Sequence, residues 1–473
     1  MRKHVFAGTA ALTMTLLAGS ALADDKVYAG FPITVKGYAG DKTTSVAYSG
    51  QIGRQALHDS LKKLAGKGNG AANEELLAAL NLYYSGKGED REILAPASKG
   101  AFVIKQTTIG EISDTNLSGK TYGGTITGMP NNRTGEELVN FWIEKAAAAE
   151  GGADLVNGYD YPQLISKFIM GAVFYNQAVD GYLDENLSAE KKPNDQPYSD
   201  GAAYTGKEHS WDEAFGYFGA PAHALTLTPA QVYDIAKMKE EAFALADYNK
   251  DGVVDLKTEM VFGPAYYAAG ADKSSAGKEN ATNYLHTIVQ AFLDGRKLLV
   301  AANGEKLTDA QRTELRGYAA VISDNWEKVL AEAVFKYAGS VYKDLTKLKA
   351  VVESGGNEAE VLGDYVKHWG ELKGFSLALQ TGKDNLGETA VRLNRLIGFG
   401  PLLPNASQVV DIDSDGNYLR DQGPSFGEYM LHMLKVQKLM IDSFGIKAQD
   451  NNVMGDMADL SNALGGGSSA END

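Results

Sequence analysis

The chain has 473 residues, with 45 Lys and Arg against 61 Asp and Glu, seven His and no Cys. The lack of cysteine excludes disulfide scaffolds, thiolate metal sites, iron–sulfur proteins and enzymes with a cysteine nucleophile. The net charge of −16 argues against nucleic-acid binding, which needs a basic surface, and suits a soluble protein or one that collects cations.

The first 23 residues have the pattern of an export signal. Arg2 and Lys3 precede a mostly apolar stretch over residues 5–17, which is too short to cross a bilayer, and Ala21-Leu22-Ala23 is a small-x-small cleavage site. Cleavage after Ala23 predicts a periplasmic or secreted protein. No later apolar run reaches membrane length, so we expect no membrane span.

The rest of the chain predicts a mostly α fold behind a short N-terminal extended or β region at 27–48. Apolar residues at helical spacing predict helices over 49–64, 73–84, 134–150, 161–187, 229–247, 281–302, 308–352, 356–381 and 423–444. The predicted divisions are a signal peptide (1–23), an N-terminal arm with the first helices (24–132), two helical halves (133–280 and 281–445) and a flexible tail (446–473).

Three short motifs recur in the same order at an offset of about 160 residues. The pairs are 172–174 with 333–335 (Ala-Val-Phe), 211–217 with 369–375 (Trp-x-Glu-x-x-Gly-aromatic), and 247–252 with 411–416 (Asp-x-Asn/Asp-x-Asp-Gly). The alternative is that independent helix and loop patterns happen to align. We interpret the repetition as a duplicated helical bundle, with two pseudo-symmetric halves packed face to face.

The loop that begins at Asp247 has the spacing of a calcium loop, in which alternating short oxygen-bearing side chains surround a glycine turn. Thr258 stands where the bidentate Glu is usual, and Glu259 follows one residue later. The alternative is a solvated turn that caps a helix. The predicted ligands are Asp247, Asn249, Asp251, the carbonyl of Val253, Asp255 and Glu259.

The loop that begins at Asp411 matches the same pattern less completely. Leu419 and Gln422 stand at two ligand positions, so Asp421 or Glu428 would have to complete the site. The predicted ligands are Asp411, Asp413, Asp415 and the carbonyl of Asn417.

Two histidine boxes precede the recurring tryptophans. His209 and Asp212 are three residues apart, as are His368 and Glu371, and residues at this spacing share a helix face. Such a pair could bind iron or zinc, or the carboxylate could orient the imidazole. The alternative is a histidine and a tryptophan packed at a helix junction.

Four segments together resemble the exported bacterial family called Domain of Unknown Function 4856, namely residues 45–51, 171–175, 209–219 and 247–252. The resemblance covers most of residues 30–445, is most specific around Trp211, and implies no established activity. More remotely, the chain is similar to imelysin-like proteins, which are exported two-bundle proteins tied to iron-regulated uptake and labelled as peptidases. Their motif is Gly-x-His-x-x-Glu, in which Asp212 here replaces the Glu.

We therefore expect an exported soluble binding protein for metal, iron or nutrient acquisition at the cell envelope, with calcium-stabilised loops. The predicted site is a cleft between the halves, which would bind a metal ion or small ligand and could serve envelope uptake components. Its predicted wall consists of His209, Asp212, Glu213, His368 and Glu371. One alternative is a metal-dependent hydrolase with Glu213 or Glu371 as general base. Another is a purely structural envelope protein that binds calcium alone.

Overall fold

A computed structural model describes residues 25–464, and the predicted export signal lies outside the described residues. Over that range the chain is mostly helical, with fourteen α-helices and two antiparallel two-stranded sheets. The prediction of a mostly α fold is therefore confirmed. No helix of the described range is both long enough and apolar enough to cross a membrane.

The N-terminal part begins with an extended arm over residues 25–48, in which no strand forms. Backbone hydrogen bonds attach this arm to the bundle, for example from the Tyr28 N–H to the Ala222 carbonyl. The elements that follow are α1 (Ser49–Ala65), α2 (Glu74–Tyr84), α3 (Gly135–Ala148), β1 (Ala153–Asp154), β2 (Tyr159–Asp160) and α4 (Tyr161–Ile169). The chain continues from α4 as π-helical turns over Met170–Tyr175 and Gln177–Tyr182.

The remaining elements complete the bundle and add a β-hairpin near the C-terminal end. They are α5 (Gly206–Phe218), α6 (Pro229–Ala236), α7 (Phe243–Ala246), α8 (Gly263–Ser275), α9 (Tyr284–Ala301), α10 (Asp309–Ser354), α11 (Ala359–Ala378), α12 (Glu388–Ile397), β3 (Ser407–Ile412), β4 (Tyr418–Gln422), α13 (Phe426–Phe444) and α14 (Met457–Ala463).

Helix α10 is the longest element and packs along α9, α11 and α13. The Thr308 hydroxyl accepts from the Gln311 N–H while the Gln311 side chain accepts from the Thr308 N–H, and Gly355 ends the helix in the left-handed conformation. Helix α11 also packs on α4 and on the π-helical turn that follows it. In that turn Gly171 allows close contact, because a Cβ there would lie 2.5 Å from the Cβ of Ala378. These contacts bring α4, α10 and α11 together, with α1 beside α4 and α8 beside α10.

One predicted helix is broken. The range 229–247 forms α6 and α7 with a 3-10 turn between them. The break occurs near Met238, whose φ of 50° is incompatible with a right-handed helix. Helices α5, α8, α12 and α14 are absent from the predicted set. Helix α8 has little apolar periodicity because alanine and glycine supply six of its thirteen residues.

The two predicted halves share one continuous hydrophobic core. The recurring tryptophans are both fully buried, but their partners differ: the Trp211 indole donates to the Phe292 carbonyl on α9, whereas that of Trp369 donates to the Tyr429 hydroxyl on α13. The duplication therefore stays a prediction.

The predicted tail packs against the bundle over residues 446–464. Ile446 and Ala448 are buried, and the buried carboxylate of Glu332 accepts the backbone N–H groups of residues 447–449. Residues 465–473, the Gly/Ser-rich end of the predicted flexible tail, lie outside the described residues.

Candidate functional site

A cavity of about 580 Å³ opens where α1, α4, α8, α10 and α11 meet, and we call it the central cleft. The end of α6 and residues 261–263 complete its wall. Five lysines and two carboxylates line it, whereas acidic residues outnumber basic ones in the whole chain. Its volume lies within the range of small-molecule sites in proteins, about 300–1,000 Å³.

The floor of the central cleft contains two lysines and a glutamate from three different helices. Lys167 of α4 is 4% exposed, and its Nζ lies 3.6 Å from the Oε1 of Glu371 on α11. The amine of Lys62 on α1 interacts directly with that of Lys167. Burial, together with the charge of Lys167, lowers the pKa of Lys62 to about 7, although Glu371 opposes the shift. Lys62 therefore changes charge near neutral pH.

Tyrosines form the wall next to this floor. The hydroxyls of Tyr267 on α8 and Tyr337 on α10 are 3.1 Å apart, and both residues line the cleft. The Lys167 Nζ lies 5.6 Å from the centre of the Tyr267 ring. Hydroxyls beside a paired carboxylate and two amines provide both donors and acceptors for a polar ligand.

Three further lysines stand around the mouth of the central cleft. Lys237 and Lys367 are exposed, and the Lys237 Nζ lies 4.8 Å from the ring centre of Tyr266. Lys336 pairs with Asp450 at 2.9 Å. The mouth of the cleft is therefore rich in basic side chains, although the chain as a whole has a net negative charge.

The second histidine box lies partly in this cleft. His368 and Glu371 both line it, but each side chain has its own partner. The His368 Nδ1 lies 2.6 Å from the Oδ2 of buried Asp344, and Glu371 pairs with Lys167. The carboxylate of Asp344 therefore orients the imidazole, and Glu371 does not share a partner with His368.

The first histidine box lies outside the central cleft. The His209 ring stacks on Tyr204, with centroids 4.6 Å apart, and its Nε2 is 3.7 Å from the Oε1 of Glu213. Glu213 in turn accepts from the side chain of Gln51. Burial lowers the pKa of His209. The structure therefore does not bring His209, Asp212 and Glu213 together with His368 and Glu371.

Asp212 belongs to a fully buried ion network. Its Oδ1 accepts from the Tyr28 hydroxyl at 2.7 Å and from the Nε of Arg296 at 2.9 Å, and its Oδ2 accepts from the Ala47 N–H at 3.1 Å. The Nη1 of Arg296 also donates to Glu208 at 2.8 Å. Burial lowers the pKa of Arg296, but the two carboxylates outweigh this effect and hold it above its ordinary value. The network joins the N-terminal arm, α5 and α9, so the geometry gives Asp212 a structural role.

The loop at Asp247 curls its polar side chains inward. The carboxylate of Asp247 accepts from the N–H groups of Asp251 and Gly252, and Glu259 accepts from those of Asn249 and Asp255. Burial raises the pKa of Glu259, and the charges of Asp247 and Asp251 raise it further. The carboxylates therefore lie close enough to repel one another.

A lysine approaches this loop from outside. The Lys105 Nζ lies 3.4 Å from Asp251 and 3.5 Å from Asp255. The carbonyl of Val253 is the remaining predicted ligand, and Val254 beside it forms a parallel β-bridge with Ile104. Across residues 25–464, no three His, Cys, Asp or Glu side chains are grouped as a metal site.

The loop at Asp411 is the end of the β3–β4 hairpin. The carboxylate of Asp413 accepts from the N–H groups of Asp415 and Asn417, and Gly416 has a φ of 79°. Asp411 accepts instead from the N–H of Ile412. A tight hairpin turn accounts for this Asp-x-Asp-x-Asp-Gly pattern without a metal.

A second cavity, of about 730 Å³, lies between the N-terminal arm and residues 199–204. Lys42, Asp200 and Lys257 are the charged side chains of its wall. The central cleft is the stronger candidate for a binding site, because it gathers charged groups from several helices and includes Lys62, whose pKa is displaced to about 7.

Sequence reasoning did not find Lys62, Lys167, Tyr267 or Tyr337. The sequence did indicate that Lys167 is unusual, because helical spacing places it on the same face as Leu164, Phe168 and Gly171. A charged residue on a buried face needs a partner. No local pattern identifies that partner as Glu371, about two hundred residues later.

Residues 153–331 match a family model described as Domain of unknown function (DUF4856). The matched range contributes α4, α6 and α8 to the central cleft, while α1, α11 and the part of α10 that lines the cleft lie outside it. No curated protein and no solved structure matches the chain. The remote similarity to imelysin-like proteins stays a prediction.

Proposed function

We propose that this chain, which belongs to the family described as Domain of unknown function (DUF4856), is an exported binding protein that holds a small polar ligand in the central cleft. The observation that carries the proposal is the convergence of Lys62, Lys167, Glu371 and two tyrosine hydroxyls on one cavity of about 580 Å³. Concave sites with a few convergent polar groups are the usual form of small-molecule sites.

The floor of the cleft supports binding because its charged groups come from helices far apart in the sequence. Burying the Lys167–Glu371 pair costs desolvation energy, which a structural ion pair repays only with good geometry. At 3.6 Å the pair is longer than a direct charge-assisted hydrogen bond, about 2.7–2.9 Å. A ligand that bonds to these groups would offset that cost. The export signal predicted over residues 1–23 and the nutrient role expected from the sequence fit this function.

We also propose that the loop of Asp247, Asn249, Asp251, Val253, Asp255 and Glu259 binds calcium. Burial raises the pKa of Glu259, and the charges of Asp247 and Asp251 raise it further; this repulsion between the carboxylates supports a hard cation there. Calcium would neutralise these charges and fix the loop against residues 103–105, to which Val254 is bridged. The second predicted calcium loop, the metal-dependent hydrolase and the purely structural protein stay predictions.

A panel of defined compounds tests the binding function. Purified mature protein is screened by thermal shift against amino acids, sugars, organic acids, inorganic anions and divalent or ferric metal ions. We expect at least one compound to raise the melting temperature, and Ser340→Trp, which fills the cleft from α10, to remove that effect. Ser354 is exposed at the end of the same helix, so Ser354→Trp is the matched control.

The proposal fails if no compound stabilises the wild type. It also fails if Ser340→Trp and Ser354→Trp respond alike to every compound that does.

A further inference from the structure

We infer that the ligand of the central cleft carries an oxyanion group, either a carboxylate or a tetrahedral phosphate-type group, which pairs with Lys62 at the floor. This inference rests on the proposed function and names the chemical class of the ligand.

Every carboxylate that faces Lys62 already has another partner. Glu371 of α11 pairs with Lys167, Asp59 of α1 lies 2.9 Å from the His58 Nδ1, and Asp160 at the N-terminal end of α4 accepts from the Gln163 N–H at 3.0 Å. Within the described residues, no carboxylate lies within 4.0 Å of the Lys62 Nζ. Lys62 is therefore a cation that lacks an adjacent counterion of its own.

The burial of Lys62 makes the absence of an adjacent counterion energetically unfavourable. Its amine is screened from water and faces a second amine, that of Lys167, so two like charges approach each other in a poorly hydrated space. An oxyanion would contact Lys62, reduce the repulsion between the amines and accept hydrogen bonds from both. Glu371 would repel the oxyanion unless the oxyanion bound on the side of the floor where Lys62 lies. This repulsion determines where the oxyanion binds.

The mouth favours the same ligand chemistry. Lys237, Lys336 and Lys367 line the outer wall, and Asp450, the partner of Lys336, lies outside the wall of the central cleft. His368 also lines it, paired with Asp344. Lysines around the entrance of an otherwise acidic protein attract anions to the cleft and disfavour simple cations.

Two anions of different shape distinguish a carboxylate ligand from a tetrahedral, phosphate-type ligand. Calorimetric titration uses inorganic sulfate, which is tetrahedral and keeps its charge over this pH range, and succinate, which carries planar carboxylates. We expect one or both to bind at pH 6.5, and Lys62→Met to weaken binding at least tenfold. Lys63→Met is the matched control because Lys63 is exposed on the same helix and donates to the Leu94 carbonyl.

The pH dependence of sulfate binding gives a second readout. Above a Lys62 pKa of about 7 the amine loses its proton, so affinity should fall by up to about tenfold per pH unit. Lys62→Met should remove this slope, whereas a slope that came from any other group would remain. Thermal melting checks folding, since removing a desolvated charge should not lower stability.

The outcomes separate this inference from the function on which it rests. If Lys62→Met binds sulfate and succinate as well as Lys63→Met does, the inference is wrong. The inference is also wrong if neither anion binds the wild type while an uncharged compound from the panel binds and Ser340→Trp abolishes that binding. In that case the proposed binding function survives. If Ser340→Trp alters the binding of no compound, the inference and the proposed function are both wrong.

Discussion

The substitution Asp212→Asn tests whether the first histidine box is structural or ligand-binding. The Asp212 carboxylate accepts three hydrogen bonds, from Tyr28, Arg296 and Ala47, in a fully buried position. An asparagine offers one acceptor oxygen and places an NH₂ donor against one of these donors. It also leaves Arg296 with Glu208 as its remaining carboxylate.

The expected cost follows from the burial of the network. Breaking a buried ion pair by altering one partner costs about 3–5 kcal/mol. Unfolding entropy of about 2.1 cal/mol/K per residue over roughly 440 described residues gives about 0.9 kcal/mol/K. The melting temperature of Asp212→Asn should therefore fall by about 3–5 °C.

The assay is thermal unfolding followed by circular dichroism, after treatment with a chelator, with Asp294→Asn as control. Asp294 lies on α9 and pairs with Gln290 at the surface, so its substitution should change the melting temperature by less than about 1 °C. Zinc and iron titrations accompany the melts. If Asp212→Asn melts like the wild type without metal yet loses zinc or iron binding, Asp212 is a ligand and the structural interpretation is wrong.

Two further predictions concern other parts of the fold. Calcium at about 10 mM, with a dissociation constant near 0.1 mM, should raise the free energy of unfolding by about 2.7 kcal/mol and the melting temperature by about 3 °C. Asp247→Asn should abolish this increase, whereas the surface variant Asp442→Asn should keep it. Lys373→Met should lower stability by about 2 kcal/mol or more, because it removes the donor from Gly128, Asn394 and Gly398. Burial lowers the pKa of Lys373 to about 7, so the unfolded chain binds more protons between about pH 7 and 10.4 and stability rises with pH there. Urea unfolding across this range should show that Lys373→Met has a smaller rise than the exposed variant Lys383→Met; equal slopes would contradict the assignment.

Local signals predicted the long helices well. The capping box of Thr308 with Gln311 and the left-handed Gly355 delimit α10 within a few residues of the predicted range. The break at Met238 could not be predicted, since methionine has no preference for positive φ and the conformation depends on tertiary packing.

The candidate site was predicted only in part, because its residues meet through long-range contacts. His368 and Glu371 were predicted and do line the central cleft. The two boxes have the same local spacing, but Asp212 meets Arg296 whereas Glu371 meets Lys167. Spacing along a helix specifies which side chains share a face, not which distant residues that face will contact.

A crystal structure of the wild type with the strongest stabilising compound from the panel would show where the ligand binds. We expect electron density in the central cleft, in contact with Lys62 and beside Tyr267 and Tyr337. Density confined to the cavity between the N-terminal arm and residues 199–204, with the central cleft filled by water alone, would contradict this expectation.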